Sequence, residues 1–101
     1  MRFLTIGDED TVLGFSLAGV EGKVVSGPDE AREALREALS DPDIGIIIIS
    51  ERIAWEIREE VDRYIYTLSF PLIIEVPDRK GPVEWRKSIR EMVRAAVGVS
   101  L

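Results

Sequence analysis

Apolar positions along the chain alternate between two rhythms. Arg2 to Ile6, Gly22 to Val25, Ile44 to Ile49 and Phe70 to Val76 are short apolar runs of strand type. Between them the apolar residues recur at helical spacing. Asp8 to Ala18 reads as a helix. A second helix opens at Gly27-Pro28 and runs to Ser40, with Pro28 at its first position and a stripe of Ala31, Ala34, Leu35, Ala38 and Leu39. Asp41-Pro42-Asp43 ends it. A third helix is expected from about Arg52 to Leu68, burying Ile53, Ile57, Val61, Tyr64, Ile65 and Leu68. After the polar hinge Asp78-Arg79-Lys80-Gly81-Pro82, a last helix is expected over Glu84 to Val97.

Strands alternating with helices across short loops predict an α/β fold with a parallel sheet and right-handed crossovers. The all-apolar, β-branched Ile44–Ile49 run suits a strand covered on both faces, so it belongs at the centre beside Phe3–Ile6. The short Gly22–Val25 belongs at an edge. The expected architecture is a small open four-stranded sheet of order 2-1-3-4, flavodoxin- or receiver-like but one strand short, with a C-terminal helix added. Residues 1–78 form the α/β body, and residues 79–101 form a hinge and an amphipathic helix.

Composition narrows the chemistry. The chain has 101 residues, enough for one domain, and 46% of them are hydrophobic, enough for a core. It has neither cysteine nor histidine, which removes thiol nucleophiles, imidazole bases and the usual zinc ligands. No apolar run is long enough to span a membrane, and the start lacks the pattern of a signal peptide, so a cytoplasmic location is expected. Charge is split unevenly. Residues 1–78 carry 7 basic and 17 acidic groups, a net −10, whereas residues 79–101 carry 6 basic and 2 acidic groups, a net +4. An acidic body argues against nucleic acid as its partner.

Asp8, Glu9 and Asp10 follow the first strand, where open α/β sheets place ligands. A receiver-like signalling module would use such acids to hold magnesium. It would also need an aspartate after the third strand, where this chain has Ser50-Glu51, and a lysine after a fifth strand, which is missing. A phosphate loop would offer glycine amides and a lysine rather than three acids. The plainer reading makes Asp8 a helix N-cap, with Glu9 and Asp10 in the first turn where the helix dipole favours negative charge. Gly14 is unusual inside a helix, costing about 1 kcal/mol against alanine, and suggests a close approach by the sheet or another chain. On this reading no catalytic residue, cofactor site or metal site is expected.

The segment "IGDEDTVLGFSLAGV" at 6–20 resembles the N-terminal signature of the F subunit in V-type and archaeal A-type rotary ATPases (ATP synthases). That signature is a Gly-Asp after the first strand, then Gly-Phe-x-Leu-Ala-Gly in the first helix. "GIIIISERIAWEIREEVDRY" at 45–64, "FPLIIEVPDRKGP" at 70–82 and the ending "SIREMVRAAVGVSL" are similar to later parts of the same family. The resemblance implies a non-catalytic subunit of the central stalk. Members of that family dock on the coiled-coil rotor shaft, the D subunit, while the A and B subunits bind and hydrolyse ATP. It further implies a place in the soluble head and stalk, peripheral to the membrane, and a C-terminal helix that is mobile and can extend along the shaft.

Candidate contact residues come from helical spacing. At about 100° per residue, Trp85, Ile89, Met92, Val93 and Ala96 share one side of the last helix, with Arg86, Lys87, Arg90 and Arg94 on the other. On the helix after the third strand, Trp55 and Tyr66 fall on the polar side, where aromatic residues are candidate anchors for a partner.

Overall fold

A computed structural model describes residues 1–77. The last helix, with its candidates Trp85, Ile89, Arg90, Met92, Val93 and Arg94, lies outside the described residues. The elements are β1 (Arg2–Gly7), α1 (Glu9–Ser16), β2 (Glu21–Val24), α2 (Pro28–Ser40), β3 (Ile44–Ser50), α3 (Glu51–Glu56), α4 (Arg58–Thr67) and β4 (Leu72–Val76). All three strand pairings are parallel and the order is β2-β1-β3-β4, as the sequence pattern predicts.

The register sorts side chains onto two faces, because successive residues of a strand point to opposite sides. Leu4 pairs with Ile47, and Ile47 with Ile73; Ile6 pairs with Ile49. These residues share one face, and α2 and α3 close over it. Ile6, Leu35, Ile47, Ile49, Ile57 and Val61 are fully buried there, joined by Ala31, Ala34, Ala38 and Ala54. The alanines let α2 and α3 settle close to a sheet made bulky by isoleucine. A register shift after Arg2 opposes both Ile44 and Gly45 to that end of β1, so Ile44 also turns into this core.

Two expectations need correction. The helix expected over Arg52–Leu68 is broken at Ile57, which leaves helical geometry at φ −122° and ψ 40°. Its amide is shared between the carbonyls of Ile53 and Ala54. Neither glycine nor proline marks the break. Ile53, Ile57 and Val61 all stay buried across the turn. Beyond it α4 runs off the sheet, and Ile65 and Leu68, expected to be buried, are exposed. Charge pairs hold α4 instead. Arg58 forms a two-bond pair with Glu75 of β4, at 2.9 and 2.5 Å, and bonds Asp62 at 2.9 Å. Arg32 of α2 bonds Glu60 at 2.9 Å. The bond from Glu75 raises the Arg58 pKa, against the opposing effect of burial. The first helix also ends sooner than expected, at Ser16, before Gly19 at φ +86° turns the chain toward β2.

Candidate functional site

The carboxyl ends of β1 and β3 are where an open α/β sheet would bind a ligand. Both are occupied by helix caps. The Asp8 carboxylate accepts from the Thr11 amide at 3.3 Å and from the Thr11 hydroxyl at 2.5 Å. Burial opposes ionisation of Asp8, but these bonds together with its own amide and that of Asp10 outweigh it and hold the carboxyl below its ordinary range. Ser50, fully buried, caps α3 by accepting from the Ile53 amide at 3.4 Å. The corner between the caps is filled: a Cβ on Gly7 would sit 3.4 Å from side-chain atoms of both Ser50 and Thr11. Glu9 and Asp10 are exposed in the first turn of α1. Among the described residues, no three acidic or imidazole side chains converge to hold a metal ion. Asp8 is therefore the cap that the sequence suggests, with Glu9 and Asp10 in the first turn of the helix it starts.

What the body does present is apolar surface. Among the described residues, the second sheet face is covered by α1, which packs on β1 and β2. Its Val12 lies so close over Gly22 that a Cβ there would come within 2.3 Å of Val12 Cγ1. Beyond α1 the same face carries Phe3, Ile46, Leu72 and Ile74, which pair as Phe3–Ile46–Leu72 and Ile48–Ile74 across the register. Phe3, Leu72, Ile74 and the adjacent Phe70 are between 40% and 55% exposed. Along the inner edge of this surface runs a groove of about 380 Å³ lined by Asp10, Thr11, Gly14, Phe15, Ala18 and Pro77. Beyond its chain neighbours and the backbone of α1 itself, no atom of the described residues lies within 4 Å of where a Gly14 Cβ would stand. Gly14 thus meets no close neighbour in the body and instead faces the groove.

Of the sequence-predicted contact residues within the described part, Trp55 is 47% and Tyr66 85% exposed. They lie on α3 and α4, over the other face of the sheet, and do not join the Phe3–Leu72–Ile74 surface. Sequence reading missed that surface. The signal was available in crossover handedness, since β1 to β2 runs one way along the strand order and every later connection the other. Right-handed crossovers then put one helix on one face and all the others opposite.

Comparison with known proteins agrees with this architecture. Residues 4–93 match the family model for the ATP synthase (F/14-kDa) subunit. The A-type ATP synthase F subunit of Methanothermobacter thermautotrophicus is 42% identical over 98 residues, covering 95% of this chain and 92% of that protein. Its counterpart in Pyrococcus furiosus is 38% identical over 106 residues, covering 100% and 98%. Among solved structures, the Archaeoglobus fulgidus V-type ATP synthase F subunit superimposes with a TM-score of 0.59 at 25% identity, over 74% of this chain and 95% of that one.

Proposed function

From the premise that this chain belongs to the family of the ATP synthase (F/14-kDa) subunit, we propose that it is a non-catalytic rotor subunit in the central stalk of a V/A-type ATP synthase. The observation that carries this is identity along almost the full length of relatives named as the F subunit of A-type ATP synthases. The strand ends support it, because Asp8 and Ser50 are committed to caps and the Gly7 corner is filled. ATP binding and hydrolysis then fall to the A and B subunits of the head. Residues 1–78 act as a docking body on the coiled-coil shaft, the D subunit. The segment 79–101 is a separable element that modulates coupling of ATP turnover to ion transport. The contacts proposed for the shaft are the stripe Trp85, Ile89, Met92 and Val93, flanked by Arg90 and Arg94, with Trp55 and Tyr66 as further anchors on the body. Among the described residues no helix is long and apolar enough to cross a membrane, consistent with a cytoplasmic, peripheral place in the complex.

The test is purification of the native complex and reconstitution with the shaft. The expected companions are the catalytic head subunits and a coiled-coil subunit. Ile89→Ser with Met92→Ser should weaken shaft binding, and Arg90→Ala with Arg94→Ala should change its salt dependence. Micromolar ATP affinity of the isolated chain, lost on mutating the strand-end loops, would overturn the non-catalytic assignment.

A further inference from the structure

Two features meet at the outer side of β2. The strand is last in the sheet order, so among the described residues its outer edge has no partner strand. The Val25 amide donates to the Gly7 carbonyl. In a parallel ladder alternate residues bond the same neighbour, so Gly22 and Val24 turn their amides and carbonyls outward. Both residues are exposed. Beside this edge lies a trough. Helix α2 packs chiefly on β1 and β3 and leaves β2 outside its cover. Glu21 and Lys23 pair in register with Leu4 and Ile6, so they stand on the α2 side of the sheet. Two cavities, of about 210 and 260 Å³, share Lys23, Ala34 and Glu37 and so run together between β2 and α2. Glu30, Glu33 and Glu37 line the helix side. We infer that this edge and trough form a docking site for an extended, basic segment of another polypeptide, which adds as a further strand beside β2 and carries lysine or arginine at alternate positions. The inference goes beyond the stalk reading and stands without it.

Spacing and charge support it. Side chains on one face of a strand recur about every 6.6 Å. Glu33 and Glu37, about one helical turn apart, are separated by about 6 Å along α2. Cations at alternate positions therefore meet successive carboxylates. Main-chain bonds to Gly22 and Val24 supply affinity in such strand addition, and the side chains supply specificity. The trough already receives one cation, since the Lys23 ammonium approaches the Glu37 carboxylate at 4.0 Å. Glu30 is tied to Ser26, and Glu21 and Asp41 at the far end are tied to Arg2. Glu33 makes no hydrogen bond or ion pair among the described residues, so unmatched negative charge is concentrated there. A second copy of the chain is a poor occupant. Each chain carries a net charge of −6, and pairing two β2 edges would bring two acidic troughs together. A lysine such as Lys23 on an edge strand also guards against self-pairing.

The test uses the full chain and a fluorescent peptide of about eight residues, in which lysine alternates with valine and threonine. At low salt this peptide should bind, and a peptide of the same composition with its lysines in one block should bind about tenfold more weakly. Binding should protect the Gly22 and Val24 amides from hydrogen exchange. Glu33→Lys with Glu37→Lys should weaken binding by about tenfold or more. Glu56→Lys with Glu59→Lys, the same change of charge at exposed positions of α3 and α4, should leave it unchanged. Val24→Pro removes one outward amide, which an edge strand tolerates, and should abolish binding; circular dichroism checks that the body stays folded. A peptide methylated at alternate amides tests the same bonds from the other side and should not bind. No binding at low salt, equal binding of the two lysine peptides, or equal loss in the two double variants would overturn the site. Protection of Gly22 and Val24 that rises with protein concentration in the absence of peptide would overturn it too, by assigning the edge to a second copy.

Discussion

Asp8 shows how one side chain settles a functional question. Its carboxylate accepts from the Thr11 amide and hydroxyl, which makes it part of the helix start. Asp8→Ala should therefore cost about 0.5–2 kcal/mol of stability. The pH dependence has a definite sign. The folded pKa lies below the unfolded one, so this stabilisation is complete above the unfolded value of about 3.9 and fades as pH falls through the folded value. Urea denaturation of the parent and Asp8→Ala should give a constant difference from pH 7 down to about 5. The difference should shrink below about pH 4. A specific rise in melting temperature with magnesium, absent from the mutant, would contradict the cap assignment. The cap was legible in the sequence because Asp8 falls between a strand and an acidic first turn. The groove beside Gly14 was not, since spacing marks a small residue but says nothing of the space around it.

At the scale of elements, the sheet order was readable from the β-branched Ile44–Ile49 run and the shortness of Gly22–Val25. The break at Ile57 was not readable, because no glycine or proline carries it and the spacing of Ile53, Ile57 and Val61 suits an unbroken helix equally well. Beyond the break α4 keeps Val61 in the core, and its Arg58 pairs with β4. The Arg58–Glu75 pair is partly buried and two-pronged, unlike the exposed Arg32–Asp29 pair within α2. Glu75→Ala should lower stability by about 1.5–3 kcal/mol, in the range of hydrogen bonds to charged groups. A double-mutant cycle on Arg58 and Glu75, measured by chemical denaturation, should give a coupling well above that of Arg32 and Asp29. The latter should stay near a few tenths of a kcal/mol. Equal couplings would mean that α4 is held by packing at Ile57 and Val61 alone.

At the scale of the molecule, the described residues hold a continuous buried cluster from Ile6 to Val61. A chain ending at residue 78 should therefore still unfold cooperatively. It should also bind a hydrophobic dye, since Phe3, Leu72 and Ile74 are exposed. A random-coil spectrum for that truncation would place the C-terminal segment inside the core. The parallel pairing has a separate consequence, for how fast this chain reaches its native state. No strand is joined to its neighbour by a hairpin, and Arg2 must find Ile44 and Ile6 must find Ile49. Such distant pairings close large loops before they are rewarded, which places folding in milliseconds or slower rather than the microseconds of a helical bundle. β1 cannot complete its pairing until β3 is made, whereas β4 pairs with β3 afterwards. In stopped-flow experiments Ile47→Val should slow refolding, because it weakens the central β1–β3 nucleus. Leu72→Ala should act mainly by speeding unfolding.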